Sequence, residues 1–112
     1  MKYDIEIDKE TCAFIQKTES FYNNEILFPT PEQQRFEYNR MCRAFSENEK
    51  YRLKIKTLEW DSIPVRIYEP KVSIGTLIYY HGGGFVVGDL ESHHDVCAVL
   101  ADKSQLRVVS VG

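Results

Sequence analysis

Three consecutive glycines stand directly behind a histidine in the segment YYHGGGFVVGD, residues 79–89. Ordering a glycine triplet costs more conformational entropy than ordering other residues, so a folded chain that keeps one usually needs φ values or a close backbone approach that a Cβ would forbid. The preceding run, residues 76–80, is continuously apolar and aromatic, which is typical of a strand covered on both faces. The sequence therefore predicts a strand internal to a sheet, followed by a loop of special backbone shape.

A second strand and a helix are predicted after this loop. Ser92 is a candidate N-cap for a helix that continues to about Ser104, with Val96, Val99 and Leu100 at helical spacing. Residues 106–111, LRVVSV, are again largely apolar and indicate a buried strand. A strand, a crossover helix and another strand form a βαβ unit, whose strands are parallel.

Two helices are predicted before the sheet. The first begins at Asp8, and its apolar face is formed by Phe14, Thr18, Phe21 and Tyr22. The second begins after Thr30, because Pro31 suits the first helical position and Gln33 completes a capping box. Its predicted buried face consists of Tyr38, Met41, Cys42 and Phe45.

The hydrophobic period changes from helical to alternating near residue 50. Apolar residues alternate with charged ones over residues 51–56 and alternate again over residues 63–67, with the turn sequence WDS between them. This pattern predicts two antiparallel strands. We therefore divide the chain into a helical N-terminal segment, residues 1–50, and a sheet-containing core, residues 51–112.

Composition limits the classes of function. The chain has 112 residues, is 43% hydrophobic and carries a net charge of −3 with both signs interleaved, which argues for one globular unit and against a nucleic-acid or polybasic membrane surface. We expect no membrane span and, since the first ten residues lack a signal-peptide core, a cytoplasmic location. Three widely spaced cysteines, Cys12, Cys42 and Cys97, favour free buried thiols in a reducing compartment.

Several explanations of the glycines compete. A dinucleotide-binding fingerprint beginning at Gly82 would need a third glycine where Val87 stands, and a phosphate-binding Walker loop would need Gly-Lys followed by Ser or Thr. An oxyanion hole remains, in which adjacent backbone N–H groups stabilise charge that develops on a carbonyl oxygen. A tight strand-to-helix turn without chemistry is the alternative.

The residues around the glycines favour the oxyanion hole. The segments PVRIYEP, HGGGF and GDLESHHDVCAVLADKSQLRVVSV resemble the hormone-sensitive-lipase-like esterases and lipases of the α/β-hydrolase fold. That resemblance implies ester hydrolysis on a small acyl-ester substrate, without a metal or cofactor. It implies these roles for the loop: Gly83 and Gly84 supply oxyanion-hole N–H groups, His81 and Gly82 support the loop, and Phe85 lines the acyl pocket.

The chain departs from this family at the nucleophile. These enzymes carry serine in a Gly-x-Ser-x-Gly elbow downstream of the oxyanion loop, and none of the seven serines here has glycine at both positions. Relatives would continue SVDYRLAP where this chain has SVG. The expected fold is thus a truncated α/β-hydrolase core of about four mixed strands and one crossover helix, preceded by two cap-type helices. Such a chain is expected to be inactive by itself.

Other catalytic constellations are weaker. His93, His94 and Asp95 are neighbours on a predicted helix and point in different directions, so an ordinary helix start is favoured over a triad. A metal site from these histidines and Cys97 would lack further ligands at the usual spacing.

The family's strand order, 1-2-4-3-5, has a consequence for association. It would leave the outer side of strand 76–80 without a partner, and an unpaired strand edge is a template for another chain. We therefore expect a homo-oligomer joined at this edge, or a separate chain that carries the complementing C-terminal half. A non-catalytic module that self-associates or binds an acyl ligand is the alternative function.

Overall fold

A computed structural model describes residues 7–22, 24–47 and 50–112. The expectation about a signal peptide rests largely on residues 1–6, which lie outside these ranges, as do residues 48 and 49 beside the predicted segment boundary. The elements, in chain order, are α1 (Lys9–Glu19), α2 (Pro31–Phe45), β1 (Leu53–Trp60), β2 (Ile63–Pro70), β3 (Thr76–Tyr80), α3 (His94–Ser104) and β4 (Arg107–Val111).

The four strands form one mixed sheet in the order β1-β2-β4-β3. Strands β1 and β2 are antiparallel, and Asp61 and Ser62 join them with φ values of 50° and 65°, the pair of positive angles that a tight hairpin turn requires. Strand β3 pairs with β4 in parallel across α3. The predicted hairpin, the predicted βαβ unit and the mixed α/β fold class are therefore confirmed.

The position of β3 differs from one prediction. Its continuous apolar sequence predicts an internal strand, yet β3 lies at the edge of the sheet formed by the described residues. Ile78 is 56% exposed and Tyr80 is 73% exposed. The composition fits a strand covered on both faces, whereas in the described part of the chain a helix covers one face only.

The core lies between α3 and that covered face of the sheet. Its fully or nearly fully buried members are Tyr68, Cys97, Ala98, Ala101 and Val108. Small residues on α3 let the helix approach the sheet closely, and the large Tyr68 side chain fills the space opposite them. The other face carries Ile78 and its cross-strand partner Val109, and Tyr80 with its partner Val111.

The start of α3 also differs from the prediction. Ser92 is not its N-cap, since the helix begins at His94 after His93, which makes no capping side-chain bond. The hydroxyl of Ser92 instead accepts a hydrogen bond from the Asp89 N–H at 2.8 Å. The Ser92 hydroxyl stabilises the turn that precedes the helix. A sequence pattern cannot distinguish a serine that caps a helix from one that bonds within the preceding turn.

The two N-terminal helices pack on each other. The capping box predicted for α2 is confirmed by the bonds between Thr30 and Gln33, at 3.2 and 2.8 Å. The rings of Phe14 and Phe45 lie 4.9 Å apart and join the two helices. No residue of either helix is fully buried, so the predicted buried face of α2 is only partly covered. No helix of the described residues is long and apolar enough to cross a membrane.

Candidate active-site loop

The loop after β3 has an unusual backbone. The φ angles are 140° at Gly83, 61° at Gly84, 64° at Phe85 and 99° at Gly88. A Cβ on Gly83 would lie 1.8 Å from the Val87 carbonyl oxygen, and one on Gly88 would lie 2.5 Å from His81 Nδ1. Both positions therefore require glycine, for space as well as for conformation.

The other two glycines of the triplet have room for a side chain. A Cβ on Gly82 or Gly84 would meet no atom within 4 Å, and the φ of Gly82 is not positive. The φ of Gly84 is nearly that of Phe85, which adopts it with a full side chain. No contact inside the described fold requires glycine at Gly82. A steric requirement for glycine at this position would therefore come from a ligand that binds against the loop.

The amide groups of the loop divide into two sets. The N–H groups of Val86 and Val87 both donate to the Gly83 carbonyl, each at 3.1 Å. The N–H groups of Gly82, Gly83, Gly84 and Phe85 donate to no atom among the described residues. They border an open hollow of about 320 Å³, which is also lined by Arg35 and by the fully exposed Phe85. Adjacent unpaired donors beside an open space are what an oxyanion hole consists of.

His81 is tied to the start of the loop. Its Nδ1 lies 2.9 Å from the Gly82 carbonyl oxygen, and since a carbonyl only accepts, Nδ1 carries the proton. Its ring stacks on that of His93, with centroids 5.3 Å apart. Burial, followed by the charge of His81, lowers the pKa of His93. The contact to Gly82 is the one that the predicted supporting role of His81 needs.

Asp89 fixes the end of the loop, and the sequence analysis did not single it out. Its Oδ1 accepts from the N–H groups of Glu91 and Ser92 at 2.9 and 2.8 Å. Its Oδ2 accepts from Nδ2 of Asn39 on α2 at 2.8 Å. Burial opposes its charge, but these bonds, that to Ser92 first, leave the pKa of Asp89 lowered. An Asp three residues before a Ser could have indicated this turn, because both side chains bond to nearby backbone.

A second polar cluster lies beneath α3. His94 Nδ1 accepts from the Tyr68 hydroxyl at 2.8 Å and from Arg66 Nη1 at 3.1 Å, while Arg66 Nη2 binds Glu91 at 2.5 Å. Burial raises the pKa of Tyr68 to about 12. Burial, followed by the Arg66 charge, lowers the pKa of His94. Because His94 is engaged here and His93 faces His81, the two histidines do not act together.

The described residues contain no accessible serine nucleophile beside the loop and no cluster of three metal-ligating side chains. Ser110, whose surroundings come nearest to an elbow sequence, is fully buried in β4. Ser92 is bonded within the turn that follows Asp89.

Comparison with known proteins identifies the fold. A family model described as "alpha/beta hydrolase fold" matches residues 77–112. An esterase of the bacterial hormone-sensitive lipase family superposes with a TM-score of 0.73 at 17% identity, over 96% of this chain and 35% of that one. An esterase from Pyrobaculum calidifontis gives a TM-score of 0.72 at 27% identity, over 94% of this chain and 34% of that one.

Curated relatives are similar over about half of this chain. Human arylacetamide deacetylase-like 3 is 42% identical over 62 residues, which is 52% of this chain and 15% of that protein. The ethyl acetate hydrolase of Pseudomonas putida is 38% identical over 65 residues, which is 54% of this chain and 20% of that protein. The chain thus spans a fifth or less of the length of these two relatives.

The glycine contacts generate a stability prediction. Gly83→Ala should lower the free energy of unfolding by about 2–4 kcal/mol, because its Cβ would overlap the Val87 carbonyl and the φ is strained. Gly82→Ala should change it by less than about 1 kcal/mol. Urea denaturation of both variants is the measurement, and equal losses would contradict the loop geometry.

The histidines generate a pH prediction. The pKa values of His93 and His94 are lowered in the fold, so their contribution to stability is present above the ordinary histidine pKa of 6.5 and is lost as the pH falls through the lowered pKa values. The free energy of unfolding should therefore fall as the pH is lowered from about 7.5 to about 5, and by a smaller amount in His94→Gln. An identical pH dependence in both proteins would show that His94 does not remain neutral in the fold.

Proposed function

We propose that this chain, which has the α/β-hydrolase fold and resembles its hormone-sensitive-lipase-like esterases, uses its glycine loop as the oxyanion hole of a serine carboxylic-ester hydrolase. The observation that carries the proposal is the run of N–H groups, those of Gly83 and Gly84 among them, that find no acceptor among the described residues and border an open hollow at the carboxyl end of β3. In open α/β sheets, ligands bind at this end of the strands.

The chemistry follows from where charge develops. When a nucleophile attacks an ester, the carbonyl oxygen gains negative charge, and fixed donors stabilise that charge without having to reorganise. Loss of one such donor costs about 3–4 kcal/mol of transition-state stabilisation in well-studied hydrolases. The room beside Gly82 and Gly84 lets an acyl group lie against the backbone. Phe85, whose side chain is free of the fold, borders the same hollow and forms part of the acyl pocket.

Peptide geometry supports roles for His81 and Gly82. A trans peptide is planar, so its N–H points opposite to its carbonyl. His81 binds the Gly82 carbonyl, which fixes the direction of the Gly83 N–H. His81 and Gly82 are therefore loop-supporting residues, and Gly83 and Gly84 are the donors.

Residues 1–112 by themselves are not expected to turn over esters, because none of their serines lies in a nucleophile elbow. The relatives named as hydrolases and esterases favour a catalytic role over a non-catalytic binding module.

The substrate is a small acyl ester, and no metal or cofactor takes part. The three unpaired cysteines support a cytoplasmic location. Residues 1–50 form the cap and residues 51–112 the core.

A chimera tests the oxyanion hole. The segment of the Pseudomonas putida hydrolase that aligns with residues 77–112 is replaced by the segment from this chain, so that the relative supplies the nucleophile. Gly84→Ala places a methyl group next to the donor in a backbone conformation that Phe85 also tolerates, and should lower kcat for a short-chain p-nitrophenyl ester about 100-fold.

Phe85→Ala is the matched control in the chimera. Removing this exposed side chain should raise KM for longer acyl chains and leave kcat for the short ester nearly unchanged. An active chimera that is indifferent to Gly84→Ala would refute the proposed role of the glycines.

The edge of β3 supports a proposal about association. The β1 edge carries Lys54 and Lys56, which discourage pairing with another chain, whereas residues 76–80 carry no charge. We propose that the β3 edge pairs with a strand of a second copy or of a complementing chain that carries the C-terminal half.

Sedimentation velocity tests this association in the purified protein. A concentration-dependent dimer should form at micromolar concentration and be weakened by Ile78→Lys, but not by Ile55→Lys on the β1 edge. A monomer whose β3 amides exchange slowly would exclude pairing between copies.

A further inference from the structure

Helix α2 contacts the glycine loop at two points. Arg35 Nε donates to the Val86 carbonyl oxygen at 2.6 Å, and Asn39 Nδ2 donates to Asp89 Oδ2 at 2.8 Å. Arg35 and Asn39 are four residues apart, so they lie on one face of the helix. The contacts therefore hold the two ends of the segment that returns from the glycines to α3.

The Arg35 contact is linked to one proposed donor through two peptide planes. The Val86 carbonyl and the Val87 N–H belong to the same peptide, so binding the carbonyl fixes the direction of the N–H. The Val87 N–H donates to the Gly83 carbonyl, whose peptide ends in the Gly84 N–H. Arg35 thus influences the orientation of the Gly84 N–H through the Val86–Val87 peptide.

The Asn39 contact is linked to the other donor through side chains. Asn39 binds Asp89, whose carboxylate closes the turn that leads to His93. The ring of His93 stacks on His81, which binds the Gly82 carbonyl and thereby fixes the Gly83 N–H.

We propose that Arg35 and Asn39 are positioning residues, through which α2 holds the N–H groups of Gly83 and Gly84 in their donor orientation. The catalytic meaning of this inference rests on the proposed function, whereas the mechanical coupling does not. Helix α2 has no fully buried residue, and it reaches the core through these two polar bonds and through the Tyr38 ring, which lies 6.4 Å from the His93 ring. A cap helix that shifts would then change the shape of the oxyanion hole as well as the access to it.

Amide hydrogen exchange on the full chain tests the coupling. Arg35→Met removes one donor, and Asn39→Asp places a second carboxylate against Asp89. Each variant should speed the exchange of the Val86, Val87 and Ser92 amides about tenfold. This is the rate change expected for the loss of about one hydrogen bond, or for a repulsion that costs about the same free energy. The amides in the β2–β4 ladder should exchange at unchanged rates.

Two further variants separate positioning from a general loss of structure. Arg43→Met removes a charge from the last turn of the same helix and should leave the loop amides unchanged. The double variant Asn39→Asp with Asp89→Asn exchanges donor and acceptor, and the amide oxygen introduced at position 89 can still accept from the Glu91 and Ser92 N–H groups. It should restore protection to within about threefold of the original chain.

The outcomes distinguish this inference from the proposed function. Unchanged loop exchange in both single variants, or no restoration in the exchanged pair, would overturn the coupling. If the coupling holds while the chimera ignores Gly84→Ala, α2 positions the loop but the loop is not an oxyanion hole.

Discussion

The planarity of the peptide bond is the constraint on which the candidate site depends. An N–H group has no torsion of its own, so holding the carbonyl of the same peptide also fixes the direction of the N–H. In this loop the Gly82 carbonyl is held by His81, and the Gly83 carbonyl by the amides of Val86 and Val87. The N–H groups of Gly83 and Gly84 thereby have a fixed direction, and neither finds an acceptor among the described residues. Preorganisation of this kind is what makes such donors effective, because they need not turn during the reaction.

The positive φ angles of the loop follow from the same arrangement. For both valine amides to reach the Gly83 carbonyl, the chain must reverse within three residues, and Gly84 and Phe85 do so in the left-handed region. That conformation costs a residue with a side chain about 1–2 kcal/mol, and Phe85 adopts it in spite of this cost. The contacts of Arg35 and Asp89 with their partners offset this cost from outside the turn. The shape of the loop therefore depends on helix α2 as well as on its own glycines.

Much of the fold could be predicted from local patterns. The capping box at Thr30 and the alternation on both sides of Asp61 depend on neighbours in sequence, and the parallel pairing of residues 76–80 with the last strand follows from the order strand, helix, strand. The prediction for Ser92 is wrong because two uses of one hydroxyl look alike in sequence. The contacts Arg35–Val86 and Asn39–Asp89 join residues about fifty positions apart, and no periodicity carries information about such pairs. The roles of the glycines come from a resemblance, and the structure adds the open amides that give that resemblance a physical reason.

The composition of β3 indicates a strand covered on both faces, although among the described residues only one face is covered. Strand β3 is apolar on both faces, but only the face that carries Leu77 and Tyr79 packs against the core with α3. Ile78 and Tyr80 point to the other face, where they meet Val109 and Val111 and remain largely exposed. A chain under selection as a stand-alone four-stranded sheet would be expected to place polar residues on that face, as antiparallel sheets with one wet face do. The apolar pattern is instead that of a sheet covered on both faces, whereas among the described residues only α3 covers it, on one face.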